Sequence, residues 1–168
     1  MLNTERLDFK LFTAEDRYFL YTLNNNKKVN RYSTYDSFSM ERTIKTLTEW
    51  ENRFGNDPIF NTYKLVLKET DEAIGFIALI PSSDNRTAEI AYRLFPQHWR
   101  KGYCSESLNV LIQAAFETSE LDKMFIETDP ENEPSIQLAY NLKFADYEVE
   151  DPHSGKMFYL DRAMYEQL

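Results

Sequence analysis

The sequence predicts a mixed α/β fold, with helices packed on one central sheet, and three observations carry that prediction. Between Thr62 and Phe95, three runs alternate or cluster apolar residues as strands do, with polar turns between them. Leu108, Leu111, Ile112, Ala115 and Phe116 then fall at i, i+3, i+4, i+7 and i+8, the buried stripe of one helix. A short apolar run, Lys123 to Thr128, returns as a strand, and a second helical pattern follows it. Strands interleaved with amphipathic helices need one shared core, which is a layered α/β arrangement.

Taken in order, Leu7, Phe9 and Leu11 alternate as a first strand. Thr13 caps a helix, with Asp16 in the N3 place of a capping box and Tyr18, Phe19 and Leu23 on the inner face. Asn24-Asn25-Asn26 ends it, and Lys28 to Tyr32 reads as a second helical piece before a loop. Ser39 opens a longer helix in which Ile44, Leu47, Trp50 and Phe54 share a face, closed by Gly55 and Pro58. The meander follows: Thr62 to Lys68, a turn at Glu69 to Glu72, Ala73 to Ile80, a turn at Pro81 to Arg86, and Thr87 to Phe95. After the central helix and the Lys123 to Thr128 strand, Pro134 stands at a helix start, where its missing N–H costs nothing. Ile136, Ala139, Tyr140 and Leu142 give that helix a packed face. Phe144 to Glu150 and Met157 to Arg162 form a last hairpin around Asp151-Pro152-His153-Ser154-Gly155. The order is β-αα(α)-βββ-α-β-α-ββ, read as one domain over residues 1–168.

Composition narrows the function classes. The 28 acidic against 19 basic residues leave a net charge of −9, which argues against a nucleic-acid partner and favours a cationic one. The single cysteine allows no internal disulfide and fits a reducing compartment. No basic-then-apolar leader opens the chain, and the longest apolar run, Ala73 to Ile80, is far short of a membrane span. A cytoplasmic protein with no membrane partner is the expectation. His98 and His153 stand far apart without cysteine companions, so no zinc pattern and no metal site is expected. His98 reads as loop filler, and no Ser-His-Asp arrangement has a recognisable nucleophile setting.

The chain is organised around His98-Trp99-Arg100-Lys101-Gly102-Tyr103-Cys104-Ser105-Glu106. This stretch joins the strand ending at Phe95-Pro96 to the central helix. A helix's first turn offers unpaired N–H groups and the positive end of its dipole, a ready anion site. Gly102 lacks the Cβ that would hold a phosphate off the backbone, and Arg100 and Lys101 add positive charge. It is neither a P-loop nor a Gly-x-Gly-x-x-Gly fingerprint. The stretch reads as a pyrophosphate cradle.

Here the chain resembles the GCN5-related N-acetyltransferase superfamily. The resemblance rests on the element order, on Trp99 to Glu106, and on Ile126-Glu127-Thr128-Asp129-Pro130-Glu131-Asn132-Glu133-Pro134-Ser135. Thr4-Glu5-Arg6-Leu7, Ala88-Glu89-Ile90-Ala91-Tyr92 and the Asn-x-x-Ser of Asn132 to Ser135 are most similar to the RimJ/RimL group, which acetylates amino termini of ribosomal proteins. The resemblance covers Thr4 to about Leu168. It implies a mostly antiparallel sheet with helices on both faces and strands splayed at an acetyl-CoA site. It implies acetyl-CoA as cosubstrate, no metal, and an amine acceptor that is a peptide N-terminus or a small amine, in a monomer or homodimer.

Residue by residue, the resemblance puts Gly102 in the family's invariant-glycine place, with the amides of Arg100, Lys101, Gly102, Tyr103, Cys104 and Ser105 holding the pyrophosphate. The backbone of Tyr92, Arg93 and Leu94 would pair with the pantetheine arm, and an amide there would polarise the thioester carbonyl. Asn132 matches the asparagine that holds the pantetheine. Glu127 is the first candidate base and Glu89 the second, and Ser135 matches the serine proposed to help the thiolate leave. The chain also departs from the family. Trp99 replaces the usual Arg or Gln, Cys104 takes a Gly/Ala place as a small residue, and Lys143 replaces a glycine. Ala139 stands where many members carry the tyrosine that protonates the leaving thiolate, and Tyr140, about 100° further round the helix, does not replace it. Three functions follow: transfer to a protein amino terminus, transfer to a small amine such as a polyamine, aminoglycoside or amino-acid analogue, or cofactor binding without transfer. Trp50, Tyr32 and Tyr35 read as core by default; the alternative for some of them is an acceptor wall made by the first helices and their loop, residues about 24 to 40.

Overall fold

The computed structural model describes residues 2–33, 37–54, 57–149 and 155–168, with the backbone alone at 53 and 54. A seven-stranded sheet runs through it. Its strands are β1 (Leu7–Leu11), β2 (Thr62–Leu67), β3 (Ala73–Pro81), β4 (Thr87–Leu94), β5 (Lys123–Thr128), β6 (Ala145–Tyr147) and β7 (Lys156–Asp161). The spatial order is β1-β2-β3-β4-β5-β7-β6. Every neighbouring pair is antiparallel except β4 and β5. That parallel pair is the one that needs a long crossover, and α3 (Tyr103–Thr118) supplies it.

Strand alternation divides the core between the two sheet faces. Ile77 and Leu79 of β3, Ile90 of β4, and Met124 and Ile126 of β5 pack with Leu108, Leu111, Ile112 and Phe116 of α3. Ile136 and Ala139 of α4 (Glu133–Asn141) join them. Phe76, facing the other way, packs with Leu20 and Leu23 of α1 (Arg17–Asn24) and Leu47 of α2 (Met40–Phe54). Phe12, Trp50 and Phe76 meet edge to face there. Helices therefore cover both faces, as expected. A short α5 (Arg162–Tyr165), which the sequence did not signal, closes the chain. Among the described residues no helix is long and apolar enough to cross a membrane.

Several local expectations are corrected. Lys28 to Tyr32 forms turns, not a helix: the Asn26 side chain accepts from the Lys28 and Val29 amides as an N-cap would, but only separate turns follow, Asn30 to Asn26, Arg31 to Lys28 and Ser33 to Asn30. The Thr13–Asp16 capping box forms, but it caps a 3-10 turn, Ala14–Asp16. The tighter turn shifts the face of α1 to Leu20, Leu23 and Asn24, leaving Tyr18 65% exposed under the Arg17 guanidinium. Ile44 lies outside the buried face of its helix, and Tyr140 is exposed, its hydroxyl donating to Asp146 of β6. β6 ends at Tyr147. The expected breaks at Gly55 and at 151–154, with His153, and Tyr35 of the acceptor wall lie outside the described residues.

Candidate functional site

β4 and β5 pair over only three positions, Thr87↔Lys123 to Glu89↔Phe125, and then part. β4 goes on pairing with β3 as far as Leu94, and β5 with β7 as far as Thr128. The result is a notch opening between Ile90–Leu94 and Ile126–Thr128. Hydrogen-bond alternation fixes which backbone groups line it. Phe95 donates its amide to Ile74, so Phe95, Arg93 and Ala91 face β3, and Leu94, Tyr92 and Ile90 face the notch. Arg162 donates to Asp122, so the same count along β5 turns the N–H and C=O of Glu127 into the notch. The Leu94 carbonyl is already taken by the Trp99 indole N–H at 2.8 Å. Of the three residues expected to offer backbone here, Tyr92 and Leu94 do face the notch. Arg93 directs its backbone to β3, and its guanidinium reaches Asn24, Asn30 and Ser33 across the α1 face.

At the α3 face of the notch stands the turn around Gly102. Arg100 (φ 59°) and Gly102 (φ 81°) are both left-handed, a backbone shape that turns successive N–H groups inward. Gly102 is the N-cap of α3, and the Glu106 amide bonds to its carbonyl. Arg100 and Lys101 are exposed, and Ser105 lies in the first turn. Burial pushes the Cys104 thiol up to about 12, so it stays protonated at neutral pH and fills space. His98 is not filler: it is 5% exposed, and its Nε2 lies 3.1 Å from Glu72, pinning the loop to the β2–β3 turn.

Tyr92 points toward α3, and its hydroxyl lies 2.6 Å from the Ser135 Oγ in the first turn of α4. Burial, the largest influence, holds the phenol well above its usual range, and the Ser135 hydrogen bond only partly offsets it. Asn132 is the N-cap of α4, yet its side chain does not cap the helix. Ala139 is fully buried.

On the opposite face stand Glu89 and Glu127, the two candidate bases. Glu89 remains exposed as a residue, but its carboxyl is held above the ordinary carboxylate range, chiefly by burial among neighbouring atoms and next by the charge of Glu127. Gly155 lets the start of β7 lie directly on Glu127, since a Cβ there would sit 3.1 Å from Glu127 Oε1 and 2.8 Å from the Thr128 carbonyl. The notch thus has the left-handed turn with its exposed Arg100 and Lys101 on one face and two carboxylates on the other. Among the described residues no cluster of His, Cys, Asp and Glu could hold a metal.

Sequence reasoning missed Arg6. Its side chain reaches the same turn, donating to the Lys101 carbonyl at 3.0 Å and to Glu106 at 2.6 Å while stacking on Tyr103 at 4.4 Å. Arg6 stood within the Thr4–Leu7 resemblance, but no spacing rule links residues so far apart.

The family whose pattern matches is the acetyltransferase (GNAT) domain, over residues 6–145. An uncharacterized N-acetyltransferase, p20, of Bacillus licheniformis is 31% identical, over 85% of this chain and 81% of that one. Among solved structures, spermidine N-acetyltransferase from Vibrio cholerae in complex with CoA and spermine superposes with a TM-score of 0.77 at 22% identity, covering 96% of this chain and 98% of that one. RimL, a ribosomal L7/L12 alpha-N-protein acetyltransferase in complex with CoA, superposes with a TM-score of 0.79 at 16% identity, covering 96% and 97%. At these identities the likeness of the two structures is one of fold.

Proposed function

The chain belongs to the GNAT acetyltransferase family, and on that premise we propose that it moves an acetyl group from acetyl-CoA to a primary amine by direct attack inside the β4–β5 notch. The observation that carries this reading is the notch itself. Its α3 face has an anion-binding turn, its opposite face has two coupled carboxylates, and unpaired backbone lies between them.

Acetyl-CoA supplies the acetyl group as a thioester. The turn from Arg100 to Ser105, left-handed at Arg100 and Gly102, suits a diphosphate, because it opens a helix N-terminus, whose first-turn amides have no partner within the helix, and no Cβ blocks Gly102. The notch-facing backbone of Tyr92, the Leu94 amide and the side chain of Asn132 suit the amides of a pantetheine arm. A notch-facing N–H of β4 is positioned to stabilise negative charge on a carbonyl oxygen. Glu127 takes the proton of the incoming ammonium, directly or through water, and Glu89 keeps that end of the notch acidic. As the new C–N bond forms and the C–S bond breaks, the Ser135 hydroxyl gives a proton to the departing thiolate. The Tyr92 hydroxyl, kept protonated by burial, orients the serine, which regains its proton from solvent once the thiol has left. This couple does the work for which Ala139 has no hydroxyl.

The acceptor is a cation, matching the acidic pair and the net charge of −9. Our first reading is the amino terminus of a basic protein, in a cytoplasmic setting. A polyamine is the second, favoured by the aromatic strip of Phe125, Tyr147 and Tyr159 on the sheet beside Glu89. These rings already hold the Lys123 ammonium at 4.9–5.9 Å. Thiol release from acetyl-CoA with a panel of basic peptides and a panel of polyamines decides the matter. Turnover with peptides alone supports the first reading, and turnover with polyamines alone overturns it. CoA binding with no turnover on any amine overturns the transferase assignment.

A further inference from the structure

The first turn of α3 poses an electrostatic problem. Glu106 puts a carboxylate in the first turn of the helix whose N-terminus is proposed above to hold a diphosphate. Facing the ligand unpaired, that charge would oppose the helix dipole and the Arg100 and Lys101 charges. The fold answers it from the other end of the chain.

Arg6, just before β1, grips Glu106 three ways. Its backbone N–H donates to Oε1 at 3.1 Å, its Nε donates to Oε2 at 2.6 Å, and its Nη2 lies 2.5 Å from the same oxygen. Its Nη1 reaches past Glu106 to the Lys101 carbonyl, within the turn itself. The guanidinium plane stacks on Tyr103, the first residue of α3. It also lies against Gly102, where an added Cβ would sit 3.3 Å from Nη2. Burial alone would raise the Glu106 carboxyl. Hydrogen bonds from Thr4 and Arg6, with the Arg6 charge, outweigh that and hold it below the usual carboxylate range.

We propose that Arg6 is a positioning residue for the cosubstrate: it neutralises Glu106 and clamps the Lys101–Gly102 turn in its anion-binding shape. The proposal rests on the acetyl-CoA reading of that turn. An ordinary surface ion pair would need neither the Lys101 carbonyl nor the Tyr103 stack, and it would not sit on the one glycine of the turn. The guanidinium fork serves both partners at once, which a lysine ammonium cannot do with the same geometry.

The test is a set of variants in the full chain, Arg6→Ala, Arg6→Lys, Glu106→Gln and the Arg6→Ala/Glu106→Gln double. Each is read by CoA titration calorimetry and by steady-state kinetics. In Arg6→Ala the Kd for CoA and the KM for acetyl-CoA rise about tenfold, equivalent to about 1.4 kcal/mol, while kcat at saturation stays within about twofold of wild type. Adding Glu106→Gln recovers a large part of the lost affinity, because the unpaired charge is gone. A merely structural anchor would show no such recovery. Arg6→Lys, which keeps the charge but loses the fork, falls between wild type and Arg6→Ala and serves if the alanine variant does not fold. Unchanged CoA affinity in Arg6→Ala or Arg6→Lys overturns the proposal, as does a loss confined to kcat or a double variant no better than the single. A wild type that fails to bind CoA overturns the transferase reading as well, so the two failures are distinct.

Discussion

Replacing Gly75 by alanine tests how the sheet shapes the notch. Gly75 lies on β3 opposite Leu94, the last residue of β4. A Cβ built there falls 2.1 Å from the Arg93 carbonyl oxygen, 2.6 Å from Leu94 Cδ2 and 2.7 Å from Leu94 Cα. Two of these three are backbone atoms, so no rotamer change relieves the clash. An ordinary contact needs about 3.4 Å or more, so the end of β4 must move by about 1 Å, or β3 must bend away from it. Overpacking of this kind costs about 3 kcal/mol, which for a chain of this length lowers Tm by roughly 6–12 °C. The same movement displaces Tyr92 and Leu94, whose backbone lines the notch. A misplacement of about 1 Å costs roughly a hundredfold in turnover. Thermal unfolding and steady-state kinetics on Gly75→Ala check both effects. A variant with lowered Tm but wild-type kcat/KM for acetyl-CoA would refute the placement of the site at the end of β4. A variant with unchanged Tm would refute the packing argument.

Four further outcomes are expected. Glu127→Gln lowers kcat by about 10²–10⁴-fold with little change in the KM for acetyl-CoA, and a variant with wild-type kcat removes Glu127 as the base. Glu89 has a folded pKa above its unfolded one, so its contribution to stability is fully present below the unfolded pKa and is lost as pH rises through the folded one. Glu89→Gln, which cannot ionise, should therefore gain in Tm relative to wild type as pH rises from below the ordinary carboxylate range, and a difference flat in pH contradicts this. Ser135→Ala strands the buried Tyr92 hydroxyl at about 1–3 kcal/mol, whereas adding Tyr92→Phe recovers much of the loss and leaves kcat low; additive stability losses would mean the 2.6 Å contact carries no coupling. Arg162→Ala removes donors from the Phe116, Ser119 and Leu121 carbonyls at the end of α3, costing about 2 kcal/mol without changing KM, and a changed KM would mean that α3 transmits strain to its far end.

What was legible in the sequence was what local pattern dictates. The meander from β2 to β4 is legible because β3, buried on both faces, reads as a continuous apolar run, while its neighbours keep a partly exposed face and alternate, with turn residues between them. The Thr13–Asp16 box and the Gly102 turn each lie within a few residues, where capping and backbone rules act. The sequence misleads where a cap-like start is not propagated into a helix, as after Asn26, or where a 3-10 turn changes the helical phase, as before Tyr18. The notch was implied by family resemblance, but the backbone groups that line it depend on register. Register separates Tyr92 and Leu94 from Arg93, which periodicity could not do. The Arg6 clamp and the Tyr92–Ser135 couple join distant segments, and composition carries no trace of either.

The central claim is that the turn at Gly102 and the adjoining notch hold acetyl-CoA, and thermal unfolding with and without it tests that claim most directly. At about 100 times the dissociation constant, binding to the native state alone adds about 2.7 kcal/mol, or roughly 5–11 °C in Tm for a chain of this length. The account predicts a shift of that size, reduced with an analogue lacking the diphosphate. No shift with acetyl-CoA up to millimolar concentration, or one that is the same without the diphosphate, would contradict it.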